Sequence, residues 1–249
     1  MGSTSLKACF GAPGLLMGKH GSEYARIERD HYPTPSWVPQ ALAEHVDLRG
    51  LTVWEPACGD GGMAAALRRQ GCARVYASDI VDRGNGQDEA LDFLSAQSPK
   101  LRFDLVCTNP PFGKRGKLAT AFIEVGLQRL ENPGLLALLL PCDFDSAKTR
   151  ARWFGDCPHF VAKIVLRKRV IWFQRTDGKR EAPRENSAWF LWQRSPPHLR
   201  HPPVILYAPA NAAAELPYDA ADDFSRSIDD CYRAVRERVA AGGEGWKPR

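Results

Sequence analysis

Residues 53–64 read VWEPACGDGGMA, a strand-like run that ends in Gly59, Gly61 and Gly62 before a helix-like pattern resumes. Small residues at such a junction let backbone N–H groups come close to a bound group. The next strand-like run, RVYASDI (74–80), ends in Asp79, 20 positions after Gly59. From there an acidic side chain can bond both hydroxyls of a ribose. The spacing Gly59-x-Gly61-x-x-Ala64 also fits a dinucleotide-binding turn, so turn and Asp79 together predict a nucleoside-containing cofactor without saying which. Further on, Asp92-Phe93-Leu94 offers a carboxylate and a ring suited to an adenine amino group and an adenine face.

Around this turn the chain alternates. Strand-like runs at 51–57, 74–80, 103–109 and 134–141 are separated by helical segments near 62–70, 87–97 and 117–130. A short helix precedes them, begun by Pro35 and Ser36, with Trp37, Val38, Leu42, His45 and Val46 on one face. That rhythm predicts an α/β fold with a parallel sheet covered by helices on both faces. It is followed by a β-rich aromatic stretch from about 159 to 193, a proline-rich passage SPPHLRHPP, and a final helix. In that helix Phe224, Ile228, Cys231, Tyr232, Val235 and Val239 recur at helical spacing. The expected organisation is a flexible lead-in over 1–28, one catalytic domain over 29–194, and a proline-rich segment plus docked helix over 195–249.

Composition narrows the class. The 249 residues are 44% apolar and 25% charged, as in folded soluble proteins, and the net charge of +5 does not by itself announce a nucleic-acid binder. The longest apolar run, Leu135 to Pro141, is far short of a membrane span, and the start lacks the pattern of a secretion signal. A cytoplasmic protein with no membrane partner is expected. Seven scattered cysteines form no CxxC, and the histidines have no metal-like spacing, so reduced thiols and no metal are expected.

The chemistry is carried by TNPPFG, Thr108 to Gly113. Two consecutive prolines fix the backbone and remove two N–H donors, leaving carbonyl groups to face a ligand. An exocyclic amino group suits such a site. The Asn109 side-chain oxygen and the Pro110 carbonyl can receive its two N–H bonds, and Phe112 can stack on the ring that bears it.

With EPACGDGG, Asp79 and Asn-Pro-Pro-Phe in that order, the chain resembles the class I S-adenosylmethionine-dependent methyltransferases, in particular those that methylate adenine N6 in DNA. The likeness spans about residues 30 to 193. It implies a Rossmann-like, doubly wound, mostly parallel seven-stranded sheet with a terminal antiparallel hairpin, and S-adenosylmethionine as cofactor. It further implies cofactor contacts from Tyr32, Pro33, Thr34 and Pro35 at the methionine end, and from Glu55, Ala57, Gly59 and Gly61 at the turn. Asp79 and Ile80 would serve the ribose, Asp92 and Phe93 the adenine, and Asn109 the transferred methyl. Asn109, Pro110, Pro111 and Phe112 would form the catalytic tetrapeptide. Neither Asn109 nor Phe112 is a base near neutral pH, so catalysis would rest on positioning and electrostatics around a base flipped from its stack.

Between Lys163 and Arg184 eight basic residues face two acidic ones, a local balance of +6 that exceeds the chain's +5. They interleave with Trp172, Phe173 and Trp189, the composition of a segment that grips phosphates and stacks bases. LRKRVIWF and SAWFLWQ are expected to form the hairpin strands, with Phe173 and Trp172 on opposite faces. Phe112, Lys114, Arg115, Trp172, Phe173, Arg175, Lys179 and Arg180 are thus the expected substrate contacts, and nucleic acid the expected partner, DNA favoured over RNA. The absence of a sizeable separate reading domain resembles compact orphan or prophage-type enzymes. Other readings fit the tetrapeptide: methylation of an RNA base amino group or of a protein glutamine amide, since the same acceptors serve any planar NH2. A cofactor-binding nucleic-acid module without turnover is a further alternative, while a nicotinamide oxidoreductase leaves Asn-Pro-Pro-Phe unexplained.

Overall fold

The computed structural model describes residues 32–95, 99, 101–131, 133–172, 185–194 and 202–209. The expected lead-in, residues 173–184 and the expected C-terminal helix lie outside these residues.

The described chain runs α1 (Trp37–Ala43), β1 (Thr52–Glu55), α2 (Gly62–Arg69), β2 (Arg74–Asp79), β3 (Glu89–Ala90), β4 (Leu105–Thr108), α3 (Lys117–Arg129), β5 (Gly134–Pro141), β6 (Phe160–Val165), β7 (Ser187–Arg194) and β8 (Val204–Tyr207). The strands form one sheet in the order β3-β2-β1-β4-β5-β7-β6-β8. Only β7 runs against its neighbours, pairing antiparallel with both β5 and β6. This is the expected mostly parallel, doubly wound sheet with an antiparallel hairpin.

Alternation along the strands builds two cores. Val53, Val75, Leu105, Leu139, Trp189 and their neighbours pack under Val38, Leu42, Met63 and Leu67 of α1 and α2. The intervening residues Trp54, Tyr76, Val106, Leu138 and Phe190 face the other way, under Ala119, Phe122 and Ile123 of α3. The strands β1, β4, β5 and β7 therefore carry apolar residues on both sides, as a sheet covered by helices requires. Among the described residues no helix is long and apolar enough to cross a membrane.

The structure departs from the sequence reading in four places. Residues 87–95 are not helical: Asp88 Oδ2 accepts the Ala77 N–H at 2.8 Å and Asp92 Oδ1 accepts the Leu94 N–H at 2.9 Å. These short carboxylates bond backbone in competition with helix formation and leave only the two-residue β3. The first hairpin strand is FVAKIV (160–165), upstream of LRKRVIWF. Arg167, Lys168 and Arg169 follow the end of this strand and are exposed, whereas the one cation within it, Lys163, is met by Asp145. The opposite-face argument for Trp172 and Phe173 lapses with that shift. An eighth strand, β8, pairs parallel with β6 where seven were expected. It follows Pro202 and Pro203, and proline is tolerated just ahead of an edge strand. Finally, Trp189 is fully buried and its Nε1 donates to the Val38 carbonyl at 2.9 Å, so it is core and not a base platform.

Trp54 anchors the α3 side. It is fully buried, donates Nε1–H to Ser78 Oγ at 2.9 Å, and packs against Phe93 and Phe103 with ring centroids 5.0 Å away in each case. Trp54→Ala leaves a large cavity and an unpartnered Ser78, and should lower unfolding free energy by about 3–5 kcal/mol in a urea titration. A loss below about 1 kcal/mol would show that this cluster does not carry the core.

Candidate active site

The strand order turns back on itself between β1 and β4, and ligands of open α/β sheets bind beyond the carboxyl ends of the strands at such a point. A cavity of about 520 Å³ lies there, within the range of small-molecule sites. Its wall takes in Tyr32, Pro33 and Thr34 before α1, Glu55, Ala57 and Gly59 after β1, Asp79 and Ile80 after β2, Asp92 and Phe93 after β3, and Asn109 and Pro111 after β4. Segments far apart in the chain are thus gathered at one end of the sheet.

The turn after β1 is tied to β2 by Asp79. Its Oδ2 accepts the Gly59 N–H at 3.0 Å and its Oδ1 the Val81 N–H at 3.0 Å, which fixes the carboxylate with lone pairs to spare. Gly59 has φ +53, a left-handed backbone that a side chain would strain.

Asn109 is held from the other side. Its Nδ2 donates to Thr34 Oγ1 at 3.2 Å and to the Tyr32 carbonyl at 3.4 Å. A carbonyl can only accept, so the amide's NH2 end is committed there, and Oδ1 is the acceptor left to a ligand. Tyr32 and Thr34 therefore orient Asn109 as well as lining the cavity. Trp172 reaches this corner through Tyr32, edge to face with centroids 6.0 Å apart.

Four expected residues stand off the cavity wall. The Pro35 carbonyl accepts the Val38 N–H at 3.0 Å and starts α1. Gly61 caps α2 from behind the turn with φ +77. Pro110 is buried, and Phe112 is half-buried against the aromatic core. Phe93, although it lines the cavity, is only 2% exposed and packs on Trp54 and Phe122, so it is mainly core. Lys114 and Arg115 form an exposed 3-10 turn directly after the tetrapeptide. Phe173, Arg175, Lys179 and Arg180 lie outside the described residues. Lys163, counted in the basic segment, is engaged by Asp145 at 2.9 Å. Met63, Arg83, Leu118 and Phe122 also line the cavity. Sequence reasoning passed over these, because the apolar ones follow ordinary helical core spacing.

Glu55 is the electrostatic oddity. It is 1% exposed and its Oε2 has no partner. Burial raises its pKa to about 8, with the negative charge of Asp60 adding to the effect. A buried carboxyl with one oxygen left unpartnered beside a cavity is what a ligand carrying a cationic or N–H group would complete.

No protein-family model matches the chain. Over 146 residues it is 31% identical to the rRNA N(6)-adenosine-methyltransferase Mettl5 of Drosophila melanogaster, a match covering 49% of this chain and 68% of that protein. Among solved structures it is similar to a protein of Listeria monocytogenes described as a class I S-adenosylmethionine-dependent methyltransferase, with TM-score 0.56, 16% identity, and coverage of 84% of this chain and 74% of that one. It is also similar to a protein of Pyrococcus horikoshii described as an RNA methyltransferase, with TM-score 0.52, 15% identity, and coverage of 66% and 88%. The chain belongs to the class I S-adenosylmethionine-dependent methyltransferases. S-adenosylmethionine is its cofactor.

The Glu55 shift has a measurable consequence. The unfolded side chain ionises near 4.5, whereas the folded one holds its proton to about pH 8, so the folded state binds the extra proton between these values. Stability from this group therefore falls as pH rises across that window. Glu55→Gln should remove the dependence, gaining on the wild-type protein by about a few kcal/mol between pH 4.5 and 8 in cofactor-free denaturation curves. Parallel stability profiles for the two proteins would contradict the assignment.

Proposed function

We propose that this methyltransferase modifies an exocyclic amino nitrogen in nucleic acid, with adenine N6 in RNA as the acceptor. The observation that carries the reading is the Asn109 amide, whose NH2 end is held by Thr34 and Tyr32 so that Oδ1 is presented as an acceptor. An amino group has two N–H bonds to place; Asn109 Oδ1 would take one, aligning the nitrogen lone pair and sharing its developing positive charge, and the Pro110 carbonyl, next in the chain though buried off the cavity wall, is the acceptor proposed for the other. When bound, the cofactor supplies an electrophilic methyl group. Asp79 would hold its ribose hydroxyls, Glu55 its methionine end and Asp92 its adenine amino group. Neither Asn109, Pro110 nor Phe112 is a base near neutral pH, so the proton is given up to water after transfer. Among the described residues, Phe112, half-buried beside the acceptor, and Trp172, packed on Tyr32, are the rings proposed for a base taken out of its stack.

The choice of polymer departs from the expectation of DNA. That expectation rested on the order of motifs, whereas the relative at 31% identity is named for ribosomal RNA adenosine, and this supports RNA. The exposed Lys114 and Arg115 suit a phosphate backbone of either kind.

The test is to incubate the purified protein with methyl-labelled S-adenosylmethionine and, separately, total RNA, single-stranded DNA, duplex DNA and a protein extract, followed by nucleoside and peptide mass spectrometry. N6-methyladenosine in the RNA arm is the expected product. Label in DNA alone would return the acceptor to DNA, and label in glutamine would overturn the nucleic-acid reading. Asn109→Ala should lower turnover by about two to three orders of magnitude while cofactor binding persists. Turnover within about tenfold of wild type would remove Asn109 from the reaction.

A further inference from the structure

The loop after the tetrapeptide is built against a distant segment by one arginine. Past β5 the chain makes two 3-10 turns, Phe144–Ser146 and Lys148–Trp153. From the second, Arg150 sends Nη1 to the Phe144 carbonyl at 2.8 Å and Nη2 to the Arg115 carbonyl at 3.2 Å. Its guanidinium carbon lies 3.7 Å from the centre of the Phe144 ring. The contact is tight on the loop side: a Cβ added at Gly116 would come within 2.9 Å of both Arg150 Nη2 and Phe144 Cε2. Arg115 has φ +58, the sole non-glycine residue with positive φ among the described residues. A backbone in that region persists only when its surroundings impose it, and the Arg150 bond to the Arg115 carbonyl is such an imposition.

Arg150 thus spends its fork on two carbonyls and an aromatic face, and among the described residues its charge is met by the longer-range field of Asp143. Around it Lys114, Arg115, Lys117 and Lys148 are exposed. None of these four has an ion-pair partner among the described residues. Exposed cations left unpaired and fixed on a rigid base are the hardware of phosphate binding.

Resting on the nucleic-acid reading above, we propose that Arg150 is a positioning residue that locks the 113–117 loop to the 143–153 segment. It thereby presents Lys114, Arg115, Lys117 and Lys148 as one shelf for the phosphates that flank the target base. The loop is continuous with Asn109–Phe112, so a strand whose base reaches Asn109 lays its backbone along this shelf. Lys at position 150 would keep the charge but lose the planar fork that spans two carbonyls.

The test is fluorescence anisotropy of the full chain with a fluorescein-labelled single-stranded oligonucleotide, as RNA and as DNA, over a salt series. S-adenosylhomocysteine affinity is measured alongside by calorimetry. Arg150→Ala and Arg150→Lys should both weaken oligonucleotide binding roughly five- to tenfold with the S-adenosylhomocysteine affinity unchanged. Lys148→Ala, on an exposed position where folding is not at stake, should lower the salt slope by about one phosphate contact. Wild-type affinity in Arg150→Lys would show that charge alone matters and overturn the positioning role. An unchanged salt slope in Lys148→Ala would overturn the shelf. If the wild-type chain binds neither oligonucleotide, the nucleic-acid reading itself falls. If it binds and the variants match it, only the present proposal does.

Discussion

Two backbone N–H groups, those of Gly59 and Val81, converge on the Asp79 carboxylate, and the cofactor end of the molecule is organised by that convergence. The bond to Gly59 joins the turn after β1 to the tip of β2, so the glycine turn cannot lift away from the sheet without leaving a nearly buried carboxylate short of a partner. The sheet supports this from below. β1 pairs parallel with β2 on one side and with β4 on the other, placing Glu55, Asp79 and Asn109 at the same end of three adjacent strands. A site assembled at strand ends inherits the rigidity of two cores, one on each face.

Much of this was legible in the chain itself. The strands VWE and VYASD and the helices at 62–69 and 117–129 announce themselves through alternation or helical spacing of apolar residues, and their ligand-facing ends through Gly59, Asp79 and Asn109. Local carboxylate bonding was not legible in the same way. Asp88 and Asp92 sit in a stretch with helix-like spacing, and only the proximity of Ala77 and the turn to Leu94 shows that they cap backbone instead. Two residues counted with the basic aromatic stretch turn out to serve the fold, for a related reason. Composition counts Lys163 and Trp189 with their neighbours, but one is engaged by Asp145 and the other bonds α1 across the core. Arg150 left no mark at all, since its partners are carbonyls, one of them 35 residues away.

Glu55 and Asn109 illustrate two ways of preparing a binding site. Asn109 is preorganised: its donors are satisfied by Thr34 and Tyr32, so nothing must rotate for its oxygen to act. Glu55 is instead kept incomplete, buried with an unpartnered oxygen and a raised pKa. The first arrangement favours a fixed geometry at the reacting atom, and the second leaves a carboxyl whose charge state responds to what occupies the cavity.

The position of β7 bears on how the chain comes to be folded. β5, with its run GLLALLLP, finds its antiparallel partner only in residues 187–194, and α1 is bonded through Val38 to Trp189, 151 positions later. During synthesis, therefore, the central apolar strand presents an open hydrogen-bonding edge until residues 187–194 have left the ribosome. Such high-separation pairing makes for slow closure and a window of exposure to self-association. The order in which strands pair, as much as the apolar content of β5, thus sets how long that edge stays open.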